Sequence, residues 1–210
     1  MDLFDQLDIR QHGTPHNRLP CDGIVHYLGP IFNQDQATEY FNQLLANIPW
    51  QHDQVVHANT VITTRRQMAL YGDTPFQYTY SGITRTALTW NNTLLALKQR
   101  IEEITNSHYN ACLLNRYDSG KDRMSWHSDN EHELVPKASI ASLSLGSVRR
   151  FSFKHKRSPD AAANIINIML ENGSLLIMKG DTQSHWLHQL PPTESVCTPR
   201  INLTFRQMRT

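Results

Sequence analysis

The sequence predicts an α+β fold, mainly β, in which helices pack outside an antiparallel core. Three observations predict it. Two amphipathic helical stripes lie in the first half of the chain. After residue 108, short apolar runs alternate with turns. The last of those runs, 200–206, alternates strictly between polar and apolar side chains.

The elements follow in order. Residues 1–20 are polar and punctuated by Gly13, Pro15 and Pro20, and read as an N-terminal arm. Residues 24–28 make a short strand. Ala37, Tyr40, Phe41, Leu44, Leu45 and Ile48 share one face of a 3.6-residue period, with Asn33 or Asp35 as cap and Pro49 as the stop. A second helix runs from about Asn92 to Asn106, with Leu94, Leu97, Ile101 and Ile104 on one stripe. Between the helices the chain is extended and turn-rich. Strands are expected over 111–117, 138–145, 150–155, 164–170, 174–178 and 200–206, and Arg157 to Ala163 reads as a surface loop.

Composition bounds the function. The chain has 210 residues, 39% of them apolar and 19% charged, enough for one domain with a sizeable core. The net charge of +1 excludes a uniformly basic or acidic protein. That total hides an asymmetry: residues 1–40 hold two basic and six acidic groups, a net of −4, and the remainder nets +5. Cys21, Cys112 and Cys197 lie far apart, with neither disulfide nor zinc spacing, so three thiols in a reducing compartment are expected. No run of ~18 apolar residues exists, so no membrane partner is expected. The start, Met1-Asp2-Leu3-Phe4-Asp5, is acidic where a signal peptide is basic. Eleven histidines are the compositional oddity, and histidine is the commonest metal ligand.

The terminal strand is the most informative segment. Arg200, Asn202, Thr204 and Arg206 point one way; Ile201, Leu203 and Phe205 point the other. The plain reading of the polar face is a solvated surface. The functional reading is a dicarboxylate held by two guanidiniums. In Trp126-His127-Ser128-Asp129, His127 and Asp129 sit at i and i+2 and can face the same way. They would make two-thirds of the two-histidine, one-carboxylate set that holds ferrous iron. A third ligand would come from His185 or His188, which spacing does not separate. Asn115 and Tyr117 share a strand face and can offer an amide and a phenol to a polar ligand. Trp126 and Trp186 flank the metal candidates and read as pocket packing.

Together these form an order: Asn-x-Tyr, His-x-Asp, His, Arg-x-Asn-x-x-x-Arg. The blocks Asn115-Arg116-Tyr117, His127-Ser128-Asp129-Asn130-Glu131, Ala138 to Gly146, Arg150 to Phe153, Gly173 to Met178, His185-Trp186-Leu187-His188 and Pro199 to Arg206 carry it. Over about residues 60–206 the chain resembles the AlkB family of Fe(II)/2-oxoglutarate dioxygenases. It is most similar to the branch that includes the vertebrate nuclear DNA-repair homologues.

The resemblance implies a double-stranded β-helix (jelly-roll) core over about 108–206, with a nucleotide-recognition lid over about 57–90. Both would lie in a single dioxygenase domain, 21–210. It implies iron on His127, Asp129 and His188. It implies 2-oxoglutarate on Arg200, helped by Tyr117 and Asn115, with Arg206 at the metal-proximal carboxylate and Asn202 close by. The implied activity is oxidative demethylation of 1-methyladenine- or 3-methylcytosine-type bases in DNA, with RNA as a further polymer. It would consume O2 and release formaldehyde, succinate and CO2. Alternatives are the same iron chemistry on a modified tRNA base, a protein side chain or a small molecule, or a non-catalytic jelly-roll binding module.

A base in a duplex must be flipped out or met in a single strand. Tyr78 and Tyr80 match the family's lesion-contacting segment and can share one face, and His127 can add a second wall. Glu131 matches the acid that reads the exocyclic amine of a cationic lesion. Arg149, Arg150, Lys154, Lys156 and Arg157 place five basic residues in nine positions, expected to contact phosphate; Arg65 and Arg66 form a second patch. The stretch Trp50 to Arg66 shows no obvious hydrophobic finger to fill the gap left by a flipped base. A monomer is expected, cytoplasmic in a bacterial cell and nuclear in a eukaryotic one.

Overall fold

The structure, a computed structural model, describes residues 16–58, 60–80, 82–157 and 164–209, without the side chains of His57 and Tyr80. The expected arm lies outside the described residues up to residue 15, as does most of the expected loop, at 158–163. Residues 16–20 are docked: the Asn17 side chain accepts from the Leu19 and Val25 amides, and Leu19 is buried.

The chain runs β1 (Ile24–Pro30), α1 (Gln34–Asn47), β2 (Gln51–His57), β3 (Thr60–Gly72), β4 (Gln77–Tyr80), β5 (Ile83–Thr86), β6 (Leu88–Thr89) and α2 (Asn92–Thr105). It continues with β7 (Ala111–Tyr117), β8 (Met124–His127), β9 (Ile140–Gly146), β10 (Arg149–His155) and β11 (Ile166–Leu170). It ends with β12 (Ser174–Lys179), a helical turn α3 (Thr182–His185), β13 (Trp186–Leu190) and β14 (Arg200–Arg206). Asn33 caps α1 in a reciprocal capping box with Gln36. Ile48 leaves the helix extended because it precedes Pro49. Asn91 caps α2, and Asn106 ends it in the left-handed conformation.

One large sheet has the order β1-β12-β9-β14-β7-β3-β2, with β6 beside β3. A smaller sheet has the order β11-β10-β13-β8, and β4-β5 form a separate hairpin. The fold is the expected mainly antiparallel jelly roll with flanking helices. Leu44, Leu94, Leu97 and Ile101 of the helices pack on Leu114, Leu143, Ile201, Leu203 and Phe205, so both helices cover the outer face of the large sheet. Val25, Ile140, Leu176 and Met178 meet Phe153, Ile168 and Trp186 between the sheets.

This layering decides the meaning of β14. Its apolar face is spent on the helices, so its polar face looks into the space between the sheets. Every residue of the strand is buried. A solvated outer face, the plain reading of the alternation, is thereby excluded.

Two boundaries differ from expectation. The large sheet recruits β1, β2 and β3, so the core is not confined to 108–206. Of the range 57–90 expected as lid, Gln67–Gly72 pairs with β7 inside the sheet, and the separate hairpin is only 77–86. The β2–β3 hairpin also overturns the expectation of no apolar finger. Val56, Val61 and Ile62 stand exposed on it, Val61 at 55%. The sequence hid this hairpin because its first half projects past the core and lacks a buried, alternating face.

Candidate active site

His127 ends β8 and pairs directly across the ladder with His188 of β13. Their rings meet edge-on, 4.2 Å apart. Asp129 follows just beyond β8, where its amide donates to the Gln183 side chain at 2.8 Å. The result is a convergence on one atom. Asp129 Oδ1 lies 3.6 Å from His127 Nε2 and 3.7 Å from His188 Nε2, and it is buried with no hydrogen-bond partner. His127 Nδ1 lies 2.8 Å from the Ser125 carbonyl. A proton on that nitrogen leaves the Nε2 lone pair facing the carboxylate. Acceptors aimed at one another need a cation between them, and two imidazoles with one carboxylate suit ferrous iron. The site residues therefore fit the metal.

His185 is excluded by the backbone. Residues 182–185 form a helical turn, and the His185 ring stacks on His155. Residue spacing alone does not reveal this turn.

Burial depresses His127 to about 3, the neighbouring His188 adding to it, so the imidazole is neutral and free to ligate. Burial disfavours ionised Asp129, yet Arg206 and both histidines outweigh it and hold the carboxyl below its usual range. Arg206 Nη2 donates to Asp129 Oδ2 at 2.7 Å. Arg206 is held above its ordinary value because Asp129, Tyr78 and Glu131 outweigh its burial.

Arg206 therefore sits at the metal end of the cavity that Arg200 also lines. It braces the carboxylate of Asp129. Arg200 lies six residues away along β14, about 20 Å between Cα atoms at ~3.3 Å per residue, and the two side chains line one cavity.

Arg200 is 2% exposed. Its Nη2 donates to Ser144 Oγ at 2.9 Å and Asn202 Oδ1 at 2.7 Å, its Cζ lies 5.4 Å from the Tyr117 ring centre, and its Nε has no partner. Burial lowers it to about 10, Tyr117 opposing. A buried guanidinium among neutral groups suits an anion, so the pocket fits a carboxylate of 2-oxoglutarate. Asn115 pairs with Asn202, and Tyr117 with Arg200, across the β7–β14 ladder. Gly146 makes room here: its φ is +85°, and a Cβ would lie 2.6 Å from the Pro199 carbonyl.

Sequence reading missed several contributors to the cavity. Ser142 donates to Asn202, Asn202 donates to Thr204, and Leu113, Met124, Phe151, Met178 and Leu190 supply apolar walls. Ser142, Ser144 and Thr204 had a signal, since small polar residues alternate with apolar ones in β9 and β14. Gln183, which orients Asp129, had none.

Tyr78, 1% exposed, accepts from Arg206 and hydrogen-bonds Glu131. Glu131 Oε2 is buried and unpartnered, and burial raises this carboxyl, with Arg206 opposing. The Tyr80 side chain lies outside the described residues. Trp126 sits on an outer groove under Lys154, whose ammonium is 4.5 Å from the ring, while Trp186 packs between the sheets.

The basic hairpin divides. Arg150 is exposed. Arg149 is 2% exposed, and its guanidinium donates to the carbonyls of Ser119, Gly120, Asp122 and Pro191. It clamps the loop leading into β8 and is not available to phosphate. Arg66 is likewise buried, against Asp53.

A jelly roll whose open metal position is framed by two histidines and one carboxylate defines the class of mononuclear iron oxygenases. A family model described as 2OG-Fe(II) oxygenase superfamily matches residues 23–206. The DNA oxidative demethylase ALKBH2 of Mus musculus is 37% identical over 203 residues, 90% of this chain and 80% of that protein. Its Homo sapiens counterpart is 34% identical, over 93% of this chain and 78% of its own length. The alpha-ketoglutarate-dependent dioxygenase alkB homolog 3 of Bos taurus is 39% identical over 192 residues, 89% of this chain and 64% of that protein. A solved structure titled OsALKBH1 superposes with a TM-score of 0.62 at 15% identity, covering 90% of this chain and 98% of its own, and shows the fold. The chain belongs to the AlkB family of 2OG-Fe(II) oxygenases, whose cofactors are Fe(II), 2-oxoglutarate and O2.

Proposed function

We propose that the protein is an alkylation-repair demethylase of DNA, acting on cationic lesions of the 1-methyladenine and 3-methylcytosine type. The carrying observation is a buried, unpartnered acceptor, Glu131 Oε2, beside the metal-ligating set. An exocyclic amine on a positively charged base satisfies both its hydrogen-bonding capacity and its charge.

His127, Asp129 and His188 hold iron, Arg200 with Tyr117 and Asn115 holds 2-oxoglutarate, and Asn202 orients Arg200 through its amide oxygen. Iron, when bound, would supply activation of O2, one oxygen atom going to succinate as 2-oxoglutarate loses CO2 and the other to the N-methyl carbon, whose hydroxymethyl product releases formaldehyde. Arg206 keeps Asp129 ionised and aimed. Tyr78 walls the base, with Tyr80 as a proposed second contact. The apolar walls exclude water, which limits side reactions.

The polymer has a route to this site. Exposed Arg65, Lys121 and Arg123 line a groove with Val56 and Trp126 that ends at His127. Cations beside apolar side chains suit a phosphate backbone next to an unstacked base. Arg150 adds a further phosphate contact. The exposed valines of the β2–β3 hairpin support action on duplex as well as single strands.

The test uses protein loaded anaerobically with iron, 2-oxoglutarate and single- or double-stranded oligonucleotides carrying 1-methyladenine. Unmodified adenine and formaldehyde are expected, with none from His188→Ala or Asp129→Ala. No turnover on any methylated strand, with iron shown bound, would sink this reading.

A further inference from the structure

The hairpin bearing Tyr78 has four residues on each side and joins neither sheet. It must nevertheless be held in register with the site. Tyr78 and Arg85 are cross-strand partners, so they project from the same face of the hairpin, toward the body. Tyr78 reaches Arg206 and Glu131. Arg85 reaches Asp53 of β2, and it also donates to the Gln54 carbonyl at 2.7 Å.

Asp53 is 3% exposed, and each carboxylate oxygen serves a different element. Oδ1 accepts from Arg85 of β5, and Oδ2 accepts from Arg66 of β3. Arg66 also donates to the sulfur of Met124, at the head of the strand that ends in His127. A small cavity bordered by Asp53, Arg66, Arg85 and Tyr78 shares Leu113, Asn115 and Met124 with the active-site cavity. The cluster is therefore a wall of the recognition pocket as well as a strut beneath it.

As a source of stability, three buried ionic groups are inefficient, because desolvation offsets most of their attraction. Their geometry is what apolar packing does not supply. Two guanidiniums on the two oxygens of one carboxylate fix the separation and angle of the elements that carry them. We propose that Asp53 is a positioning residue that locks the Tyr78 hairpin, the β2–β3 hairpin and the strand entering His127 into one substrate-recognition unit. Contact of nucleic acid with the β2–β3 hairpin is then felt at the wall that receives the base. The identity of that substrate rests on the proposed function; the mechanical link does not.

Arg85→Met cuts the hairpin from Asp53 and leaves the Asp53–Arg66 pair in place, so the fold is kept. Amide hydrogen exchange over 77–86, without substrate, is expected to quicken about tenfold or more, since the anchors on Asp53 and on the Gln54 carbonyl are both lost. Exchange in β7 and β14 should stay as it was. The KM for a methylated oligonucleotide should rise about tenfold, while 2-oxoglutarate consumption without oligonucleotide stays within about twofold. Arg85→Lys should recover part of the loss, and Asp53→Asn should release the same segment. Unchanged exchange over 77–86 overturns the proposal. So does an equal fall in oligonucleotide-free turnover, which marks a purely structural role. If the wild-type protein leaves every methylated oligonucleotide untouched, the demethylase reading falls, and hydrogen exchange alone still decides the clamp.

Discussion

Replacing Arg200 by methionine should weaken 2-oxoglutarate binding far more than it affects folding. The side chain is 2% exposed, and it donates to two neutral partners, Ser144 Oγ and Asn202 Oδ1. Burial takes it from the ordinary arginine range down to about 10. At ~1.4 kcal/mol per unit, the empty protein carries a penalty of about 3 kcal/mol for this cation. A lowered folded value for a base means the penalty is full below pH 10 and fades as pH rises above it, so it is constant near neutrality. The two hydrogen bonds return a similar amount, roughly 1.5 kcal/mol each. Methionine removes both the penalty and the bonds, so the melting temperature of cosubstrate-free protein should move by no more than ~4 °C. With 2-oxoglutarate the balance changes, because a charge-assisted pair in a dry pocket is lost. About 2–4 kcal/mol, or roughly 30- to 1000-fold in affinity, should go. Succinate release as a function of 2-oxoglutarate concentration reads this directly. A change below about threefold, or a collapse of the cosubstrate-free protein, would refute the reasoning.

Three other outcomes follow from the geometry. Asp129→Asn should abolish manganese or iron binding measured by metal analysis, and should lower stability by ~3 kcal/mol or more because Arg206 loses its buried partner. Arg149→Ala should lower the melting temperature, since four backbone carbonyls lose their donor, whereas Arg123→Ala should leave it unchanged and reduce the salt dependence of oligonucleotide binding by about one unit of slope. Cys21 and Cys197 should react quickly with a thiol reagent while Cys112, buried and pushed well up by that burial, reacts only on unfolding; rapid labelling of all three in folded protein would contradict the core packing.

Much was legible in the amino-acid order because it is written in periodicity. The stripe Ala37 to Ile48 gave a helix with its cap and stop, and the alternation Arg200 to Arg206 gave a strand with one polar and one apolar face. The clustered residues Asn115 and Tyr117, His127 and Asp129, and Arg200 stood out because polar groups two residues apart can face the same way along extended chain. What stayed hidden is set by groups distant in sequence. Asp53, Arg66 and Arg85 meet from three strands, and no local pattern announces a buried ion cluster. Arg149 read as a phosphate contact because a basic run looks alike whether its guanidiniums meet solvent or loop carbonyls.

The sequence by itself determined the chemistry available: two imidazoles, a carboxylate and a guanidinium in an order that resembles one enzyme family. Tertiary structure decided which of them act together. A helical turn at 182–185 removes His185 and leaves His188 on the ladder opposite His127, and helices covering the outer sheet face drive the polar face of β14 inward. Those decisions depend on burial and on the direction of each backbone segment, which are properties of the packed sheets rather than of any local stretch of chain.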